Sequence, residues 1–197
     1  KTFENVVKAF YDFAGIVDKD GLVVTNGDDK NCFALKDIVK CKFISYGIEN
    51  ENCNFVAKNI EFDENGFAIF DVYKNNKFYE RFELSVAGRH NILNALACIS
   101  TCDYYNISKD IIKSALKKFT GAERRLEFKG KINNSVSIFD DYAHHPTEIK
   151  ATSNAVKNKK YNESWVIFQP HTYSRTKNHL DDFADSLLDF DNIIILD

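Results

Sequence analysis

Residues 136–149 read VSIFDDYAHHPTEI: an apolar stretch, a polar turn and the start of a helical pattern. The stretch predicts a strand at Val136–Phe139, and Pro146 suits the first turn of a helix, where its missing N–H is not needed. The chain then repeats this order, so we expect a parallel βαβαβ unit of the α/β class. The further elements predicted are helices at Pro146–Val156 and Leu180–Leu188 and strands at Trp165–Phe168 and Ile193–Leu196.

The earlier part of the chain has a different pattern. Apolar residues at helical spacing predict a first helix from Phe3, and Leu22–Thr25 predicts a strand closed by turn residues that include Asp28. Three alternating segments between Cys53 and Val86 predict an antiparallel meander. Two helices follow, carrying Ile92, Leu96 and Ile99 and then Ile111, Ile112, Ala115, Leu116 and Phe119. We therefore expect a mixed α/β domain at residues 1–121 and a second domain at 122–197.

Composition excludes several classes of protein. The 197 residues are 44% hydrophobic with a net charge of -3, so a packed core is expected and nucleic acid is not an expected partner. The five cysteines form no CxxC pair, which favours a reducing cytoplasm over a disulfide framework or zinc site. No apolar stretch approaches bilayer length, so no membrane is expected. The patterns at both ends of the sequence predict that the chain is part of a longer protein.

The polar turn after Val136–Phe139 is the first candidate site. Asp140, Asp141, His144 and His145 sit beside a predicted helix N-terminus, where a phosphate or carboxylate can bind while an aspartate holds a ribose hydroxyl or a cation. A capped helix with incidental histidines explains the pattern about equally well. Adjacent histidines point in different directions and no spaced ligand set supports them, so no metal site is predicted.

Residues 168–176, FQPHTYSRT, form the second candidate site. His171 can donate or accept a hydrogen bond, and Arg175 offers a planar fork for carboxylate or phosphate oxygens. Because the carboxyl ends of neighbouring parallel strands meet at one sheet edge, we expect this loop to lie beside the first. Together they predict a site for an anionic ligand.

Residues 88–94, GRHNILN, open a predicted helix. Asn91 and Asn94 are three apart and share a face, and a carboxamide can recognise the edge of adenine. Asn91 alone is better explained as a residue that begins a helix. Arg124 and Arg125 follow Gly121, where they either reach a ligand or remain solvated.

These motifs in this order, with the junction GAERR at 121–125, resemble the Mur ligase family over essentially the whole chain. The resemblance implies the later part of the central ATPase domain at 1–121 and the first half of the Rossmann-like C-terminal domain at 122–197. It implies an enzyme that uses ATP to convert a substrate carboxylate to an acyl phosphate, which an amine then attacks, with Mg²⁺ neutralising the phosphates.

Within the family, the pattern is similar to that of the bacterial, cytoplasmic members that join L-alanine to UDP-N-acetylmuramate for peptidoglycan synthesis. The resemblance implies that five residues serve the nucleotide: His90, Asn91, Asn94, Arg125 and Asp141. It implies that four residues line the side where the two substrates meet: Tyr142, His144, His171 and Arg175. Of these, His144, His171 and Arg175 are the candidates for catalytic roles.

The departures from the family limit these expectations. The phosphate-binding motif GxxxxGK followed by Ser or Thr is missing, so that segment, the UDP-binding domain and the magnesium ligands would precede Lys1. We therefore expect the chain alone to be inactive. Thr172 stands where some members carry arginine, which leaves the amino-acid contacts open. Two alternatives remain: a ligase that recycles a murein tripeptide, and a non-catalytic nucleotide-binding module.

Overall fold

The computed structural model describes residues 2–133 and 135–197, which divide into two compact units. The first unit comprises the residues up to Glu61 together with Ile69–Glu83 and Ile92–Lys117. The second comprises Phe62–Ala68, Leu84–Asn91 and Lys118–Asp197. The boundary between residues 121 and 122 stays a prediction, and the largest segment of the second unit begins three residues before Gly121.

The chain begins with the predicted helix, α1, which spans Phe3–Gly15. Thr2 caps it, because its hydroxyl oxygen accepts a hydrogen bond of 3.4 Å from the backbone N–H of Asn5. The apolar stripe of α1 is exposed, including Phe10 and Phe13. The next elements are β1 (Leu22–Asn26), α2 (Lys30–Phe33), a 3-10 turn (Ala34–Asp37) and β2 (Lys42–Gly47).

A five-stranded sheet contains β1 and β2, followed in order by β3 (Phe55–Phe62), β4 (Phe67–Lys74) and β5 (Lys77–Ala87). β1 and β3 both run parallel to β2. Asn75 and Asn76 connect β4 to β5 with φ of 48° and 64°, as a two-residue hairpin turn of type I′ requires. The predicted meander is therefore confirmed, whereas sequence reasoning did not identify β2.

Buried side chains follow the periodicity of each element. Along β4 every second residue is buried, with Phe70 and Val72 at 0% exposure. The two predicted helices are present as α3 (Arg89–Tyr104) and α4 (Lys109–Lys118). In α3, Ile92, Leu96 and Ile99 are fully buried, and each such side chain contributes about 1.5–3 kcal/mol through burial.

Asp28 organises the loop after β1. Its carboxylate accepts hydrogen bonds from the backbone N–H groups of Ile48, Glu49 and Asn50 at 2.9, 3.0 and 2.8 Å. Asp29 caps α2 by accepting from Asn31 and Cys32. The interpretation of Asp28 as a turn residue is therefore confirmed. The carboxylates of Asp28 and Asp29 both accept hydrogen bonds from backbone N–H groups.

The second unit contains the predicted order of strands and helices with two additions. The antiparallel pair β6 (Glu127–Ile132) and β7 (Val136–Asp140) comes first. It is followed by α5 (Pro146–Lys157), β8 (Trp165–Phe168), α6 (Tyr173–Asn178), α7 (Leu180–Leu187) and β9 (Asn192–Ile195). β8 and β9 pair in parallel. The α/β class is therefore confirmed.

The pairing of β7 differs from the expected single parallel sheet. Among the residues described, β7 is hydrogen-bonded to β6, and β8 to β9, in separate two-stranded sheets. β6 gave no sequence signal because it has no buried face, and Phe128 and Ile132 are both about half exposed. α6 also went unidentified, since six residues are too few to show helical periodicity.

The core of this unit consists of Ile149, Phe168, Phe183 and Leu187. On α7, Phe183 and Leu187 are buried, whereas Leu180 and the following Leu188 are exposed. Across residues 2–133 and 135–197, none of the helices has the length and apolar character needed to span a membrane.

Asp189 ties α5 to the segment after α7. Its carboxylate lies 2.6 Å from Lys150 Nζ and 2.7 Å from Lys157 Nζ, and it accepts a 2.7 Å hydrogen bond from the buried hydroxyl of Ser153. These hydrogen bonds, led by that from Lys150, hold the pKa of Asp189 well below its ordinary value. The turn that precedes α5 is thereby attached to a fixed helix.

Candidate functional site

The turn after β7 is held in place through Asp141. One carboxylate oxygen accepts a 2.9 Å hydrogen bond from the backbone N–H of Ala143, and the other accepts one of 2.7 Å from the hydroxyl of Thr152 on α5. Two oxygens of a carboxylate offer about four acceptor positions. Asp141 is thus fixed by the protein and can still accept a hydrogen bond from a ligand hydroxyl.

A capping box begins α5. His145 Nδ1 accepts a hydrogen bond of 3.3 Å from the backbone N–H of Thr147. In return, the Glu148 carboxylate accepts from the backbone N–H groups of His144 and His145 at 2.9 and 3.2 Å. These N–H groups are therefore satisfied within the protein, which weakens the hypothesis that this helix N-terminus binds a phosphate.

The two adjacent histidines carry their hydrogens on opposite ring nitrogens. His144 Nδ1 lies 2.8 Å from the backbone oxygen of Tyr142, and since a carbonyl oxygen only accepts, this nitrogen carries a hydrogen. His145 Nδ1 accepts from Thr147, so it carries none. Nε2 of neutral His144 is an acceptor, whereas Nε2 of His145 is a donor.

Glu148 also faces cations. One of its oxygens lies 3.6 Å from Arg125 Nη1, and the other lies 3.6 Å from His144 Nδ1. Burial alone would raise the pKa of Glu148, but the backbone N–H of His144 and the charges of His144 and Arg125 outweigh it and lower that pKa. Sequence reasoning missed Glu148, although its position three residues after a capping residue was a usable signal.

Arg124 and Arg125 serve different partners. Arg124 Nε lies 3.4 Å from Asp140, and its guanidinium lies 4.9 Å from the centre of the Tyr142 ring. The backbone oxygen of Arg124 accepts a 2.8 Å hydrogen bond from the Tyr142 N–H. Arg124 therefore positions Tyr142, and Arg125 is the arginine directed toward Glu148.

His90 belongs to the same cluster. Packing around this exposed residue lowers the pKa of its imidazole, the charge of Asp141 raises it, and the charge of Arg125 lowers it. Gly88 has φ of +102°, and a Cβ there would lie 2.7 Å from the His90 ring. The structure thus brings His90, Arg125 and Asp141 together, and the missing side chain of Gly88 makes room for the ring.

The two asparagines have different surroundings. The side-chain amide of Asn91, in the first turn of α3, donates a 2.8 Å hydrogen bond to the backbone oxygen of Ala87 at the end of β5. Because α3 begins at Arg89 and this amide donates rather than accepts, the contact is not an N-cap. Asn94 lies one turn later and is exposed. Adenine recognition by this pair stays a prediction.

The second loop approaches the first through Arg175. Its Nη1 donates a 3.4 Å hydrogen bond to the backbone oxygen of His144, and the rings of His145 and His179 lie 5.2 Å apart. The two loops therefore meet, although β7 and β8 are not paired. Contrary to the expectation of a loop, Arg175 lies on α6.

His171 and Thr172 lie at the exposed end of this loop. Within the residues that the structure describes, His171 makes no hydrogen bond or ion pair. Thr172 has φ of +67° and ψ of 110°, a strained conformation for a β-branched residue. Strain of this kind is common at functional sites, because only surrounding contacts can hold it in place.

The cluster suits an anionic ligand better than a metal ion. Arg125 faces Glu148, and Arg175 donates to the backbone oxygen of His144. Within the described part of the chain, no group of three His, Cys, Asp or Glu residues could hold a metal. A planar guanidinium fits phosphate or carboxylate oxygens, and a carboxylate accepts hydrogen bonds from sugar hydroxyls.

Known proteins are similar to this chain in sequence and in fold. A UDP-N-acetylmuramate--L-alanine ligase of Clostridium acetobutylicum is 43% identical over the whole chain, which spans 42% of that relative. The ligase of the same name from Acetivibrio thermocellus is 44% identical with the same coverage. The crystal structure of UDP-N-acetylmuramate-alanine ligase from Thermotoga maritima superimposes with a TM-score of 0.80 and 28% identity, covering 99% of this chain and 41% of that one.

Two family models match the chain in succession. The Mur ligase middle domain matches residues 1–102, more than half of the chain. The glutamate ligase domain of Mur ligases matches residues 124–197. Together they account for both parts of the sequence, and the chain therefore belongs to the Mur ligase family.

Proposed function

We propose that the chain is part of an ATP-dependent ligase that joins L-alanine to UDP-N-acetylmuramate in the bacterial cytoplasm, a step of peptidoglycan precursor synthesis. The observation that carries the proposal is the cluster of Arg125, Asp141, His144 and Arg175 around the turn after β7. It occurs in a chain 43–44% identical to relatives whose names state that activity. Because the chain spans 42% of those relatives, the activity is assigned to the longer parent protein.

The reaction proceeds in two steps. The muramate carboxylate attacks the γ-phosphorus of ATP, which forms an acyl phosphate and releases ADP. The amino group of L-alanine, after losing a proton, attacks the acyl carbon. The tetrahedral intermediate collapses to the amide and expels phosphate, so the enzyme forms no covalent bond to either substrate.

The nucleotide side of the site is assigned to five residues. Arg125 would bind phosphate oxygens, because its guanidinium presents several donors in one plane. Asp141 would accept a hydrogen bond from a ribose hydroxyl, and His90 lies close to both of them. Asn91 and Asn94, on consecutive turns of α3, would contact the edge of adenine.

The acceptor side is assigned to Tyr142, His144, His171 and Arg175. His144 Nε2 has a lone pair that can accept a proton from the attacking amine, since Nδ1 is anchored to Tyr142. Arg175 and His171 would stabilise the developing oxyanion, a contribution of about 3 kcal/mol for a well-placed donor.

Magnesium would supply charge neutralisation for the phosphates. The described residues do not fit it, because they contain no set of three suitable ligands. We expect its ligands in other segments of the longer parent protein.

The test is ADP release by the full-length parent with UDP-N-acetylmuramate, magnesium and either L-alanine or a murein tripeptide, with the 197-residue chain assayed alongside. We expect the parent to release ADP only when L-alanine is present. The 197-residue chain should release no ADP. Release only with tripeptide would replace the proposal with the recycling ligase. Nucleotide binding without release under either condition would favour a non-catalytic module.

A further inference from the structure

Glu148 connects the two sides of the candidate site. Its side chain is one-third exposed, and it lies in the first turn of α5, where the main chain of His144 and His145 donates to it. Its other oxygen faces Arg125 at 3.6 Å. One carboxylate therefore contacts a residue assigned to the nucleotide and the turn assigned to the acceptor.

The capping role alone does not require a charge at this position. A capping box is formed equally well by glutamine, because only a carbonyl-type oxygen is needed to accept from the backbone. The negative charge of Glu148 serves the other contacts, with Arg125 and the His144 ring. A glutamine at this position would keep the cap and remove the charge.

Arg125 depends on this contact for its orientation. Its side chain is 55% exposed, and within residues 2–133 and 135–197 it forms a single ion pair, with Glu148. A long exposed arginine otherwise samples many rotamers, and restricting them before a ligand arrives improves binding. His90 lies close enough to interact with its charge.

We propose that Glu148 is a positioning residue of this site, holding the Arg125 guanidinium for the nucleotide while fixing the turn that carries His144. The inference rests on the proposed function for the identity of the ligand. It adds a residue that acts through Arg125 and touches neither substrate.

The test uses the full-length parent with Glu148→Gln, read out by ADP affinity in calorimetry, by KM for ATP and by thermal unfolding. We expect the Kd for ADP and the KM for ATP to rise about tenfold, with a smaller change in kcat at saturating substrate. The unfolding midpoint should stay within about 2 °C of the unsubstituted protein, because the capping box is retained.

Asp189→Asn is the matched control, since Asp189 also binds α5, at its middle and its end, and its ion pairs are with Lys150 and Lys157. It should lower the unfolding midpoint and leave the Kd for ADP within about twofold. In a protein that already carries Arg125→Gln, the additional substitution Glu148→Gln should not weaken ADP binding any further, because the two residues act as one unit. If Glu148→Gln does not fold, Glu148→Asp is the second variant: it keeps the charge but draws the carboxylate back from Arg125, so the Kd for ADP should again rise.

Unchanged ADP affinity in the Glu148 variant, or full additivity with Arg125→Gln, would overturn the positioning role. The outcome is separable from that of the proposed function. A Glu148 effect on ADP affinity without L-alanine-dependent ADP release would reject the ligase and retain the role of Glu148 in nucleotide binding.

Discussion

The hydroxyl of Thr152 donates a 2.7 Å hydrogen bond to the carboxylate of Asp141, eleven residues earlier in the chain. The contact joins the second turn of α5 to the turn after β7. Since Ala143 holds the other oxygen at 2.9 Å, Asp141 is restrained from two directions. Its orientation toward a ligand is therefore set before binding.

Replacing Thr152 with valine tests this restraint. Valine keeps the shape of threonine but removes the donor, so in the full-length parent we expect the KM for ATP to rise about threefold to tenfold. Thr147→Val is the control, because the Thr147 hydroxyl makes no hydrogen bond within the described part of the chain. Equal effects of the two variants would contradict the role of Thr152.

Asp189→Asn should destabilise the second unit by about 1–2 kcal/mol at neutral pH, measured by urea unfolding. The expected loss of stability is small because Lys150 and Lys157 are about half exposed, so water screens their charges. The pKa of Asp189 is lowered in the folded state, so its stabilisation is fully present above the unfolded pKa of about 3.9. This stabilisation is lost as the pH falls below the pKa of the unfolded state and through the lower pKa of the folded state.

The pH dependence supplies a second check on Asp189. The difference in stability between the unsubstituted chain and Asp189→Asn should be constant from about pH 5 to 7 and shrink below about pH 4. A difference that persisted unchanged into acid would mean that the charge of Asp189 is not responsible for its stabilising effect.

Gly88→Ala should destabilise the start of α3 by about 1–3 kcal/mol. Gly88 has φ of +102°, and an added Cβ would lie 2.7 Å from the His90 ring and 3.1 Å from Ala155 Cβ. Chemical denaturation of the chain measures the loss. Gly15→Ala is the control, because nothing lies within 4 Å of a Cβ there, and alanine favours the end of α1 by up to about 1 kcal/mol.

His145→Ala should cost about 1 kcal/mol of stability, because it removes the acceptor for the Thr147 N–H. His145→Asn should recover most of that loss, since asparagine is among the preferred N-cap residues. Thermal unfolding of both variants separates these cases. If asparagine were no better than alanine, the cap would not explain the contribution of His145.

Much of the second unit could be predicted from its sequence. The strand at Val136 and the helix at Pro146 are marked by an apolar run and by a proline in the first turn, and both signals are local. The meeting of the two polar loops was also anticipated, and Arg175 contacts His144. That prediction was right about proximity although the expected pairing of β7 with β8 is not observed.

The remainder depends on contacts that no local pattern encodes. β6 is exposed on both faces, so hydrogen bonding to β7 alone defines it. Asp189 lies 32 residues beyond Lys157, its partner on α5, and nothing in sequence spacing links them. Likewise, no local pattern shows that Arg124 pairs with Asp140 and Arg125 with Glu148.

The opposite tautomers of His144 and His145 give this turn a fixed polarity. A group that approaches Nε2 of His144 has to bring a hydrogen, and one that approaches Nε2 of His145 has to bring a lone pair. Exchanging the two tautomers would break the hydrogen bond from His144 Nδ1 to the Tyr142 oxygen. It would also break the helix cap that His145 Nδ1 forms with Thr147. While both rings are neutral, the main chain alone therefore directs a hydrogen-bond donor to one histidine and an acceptor to its neighbour.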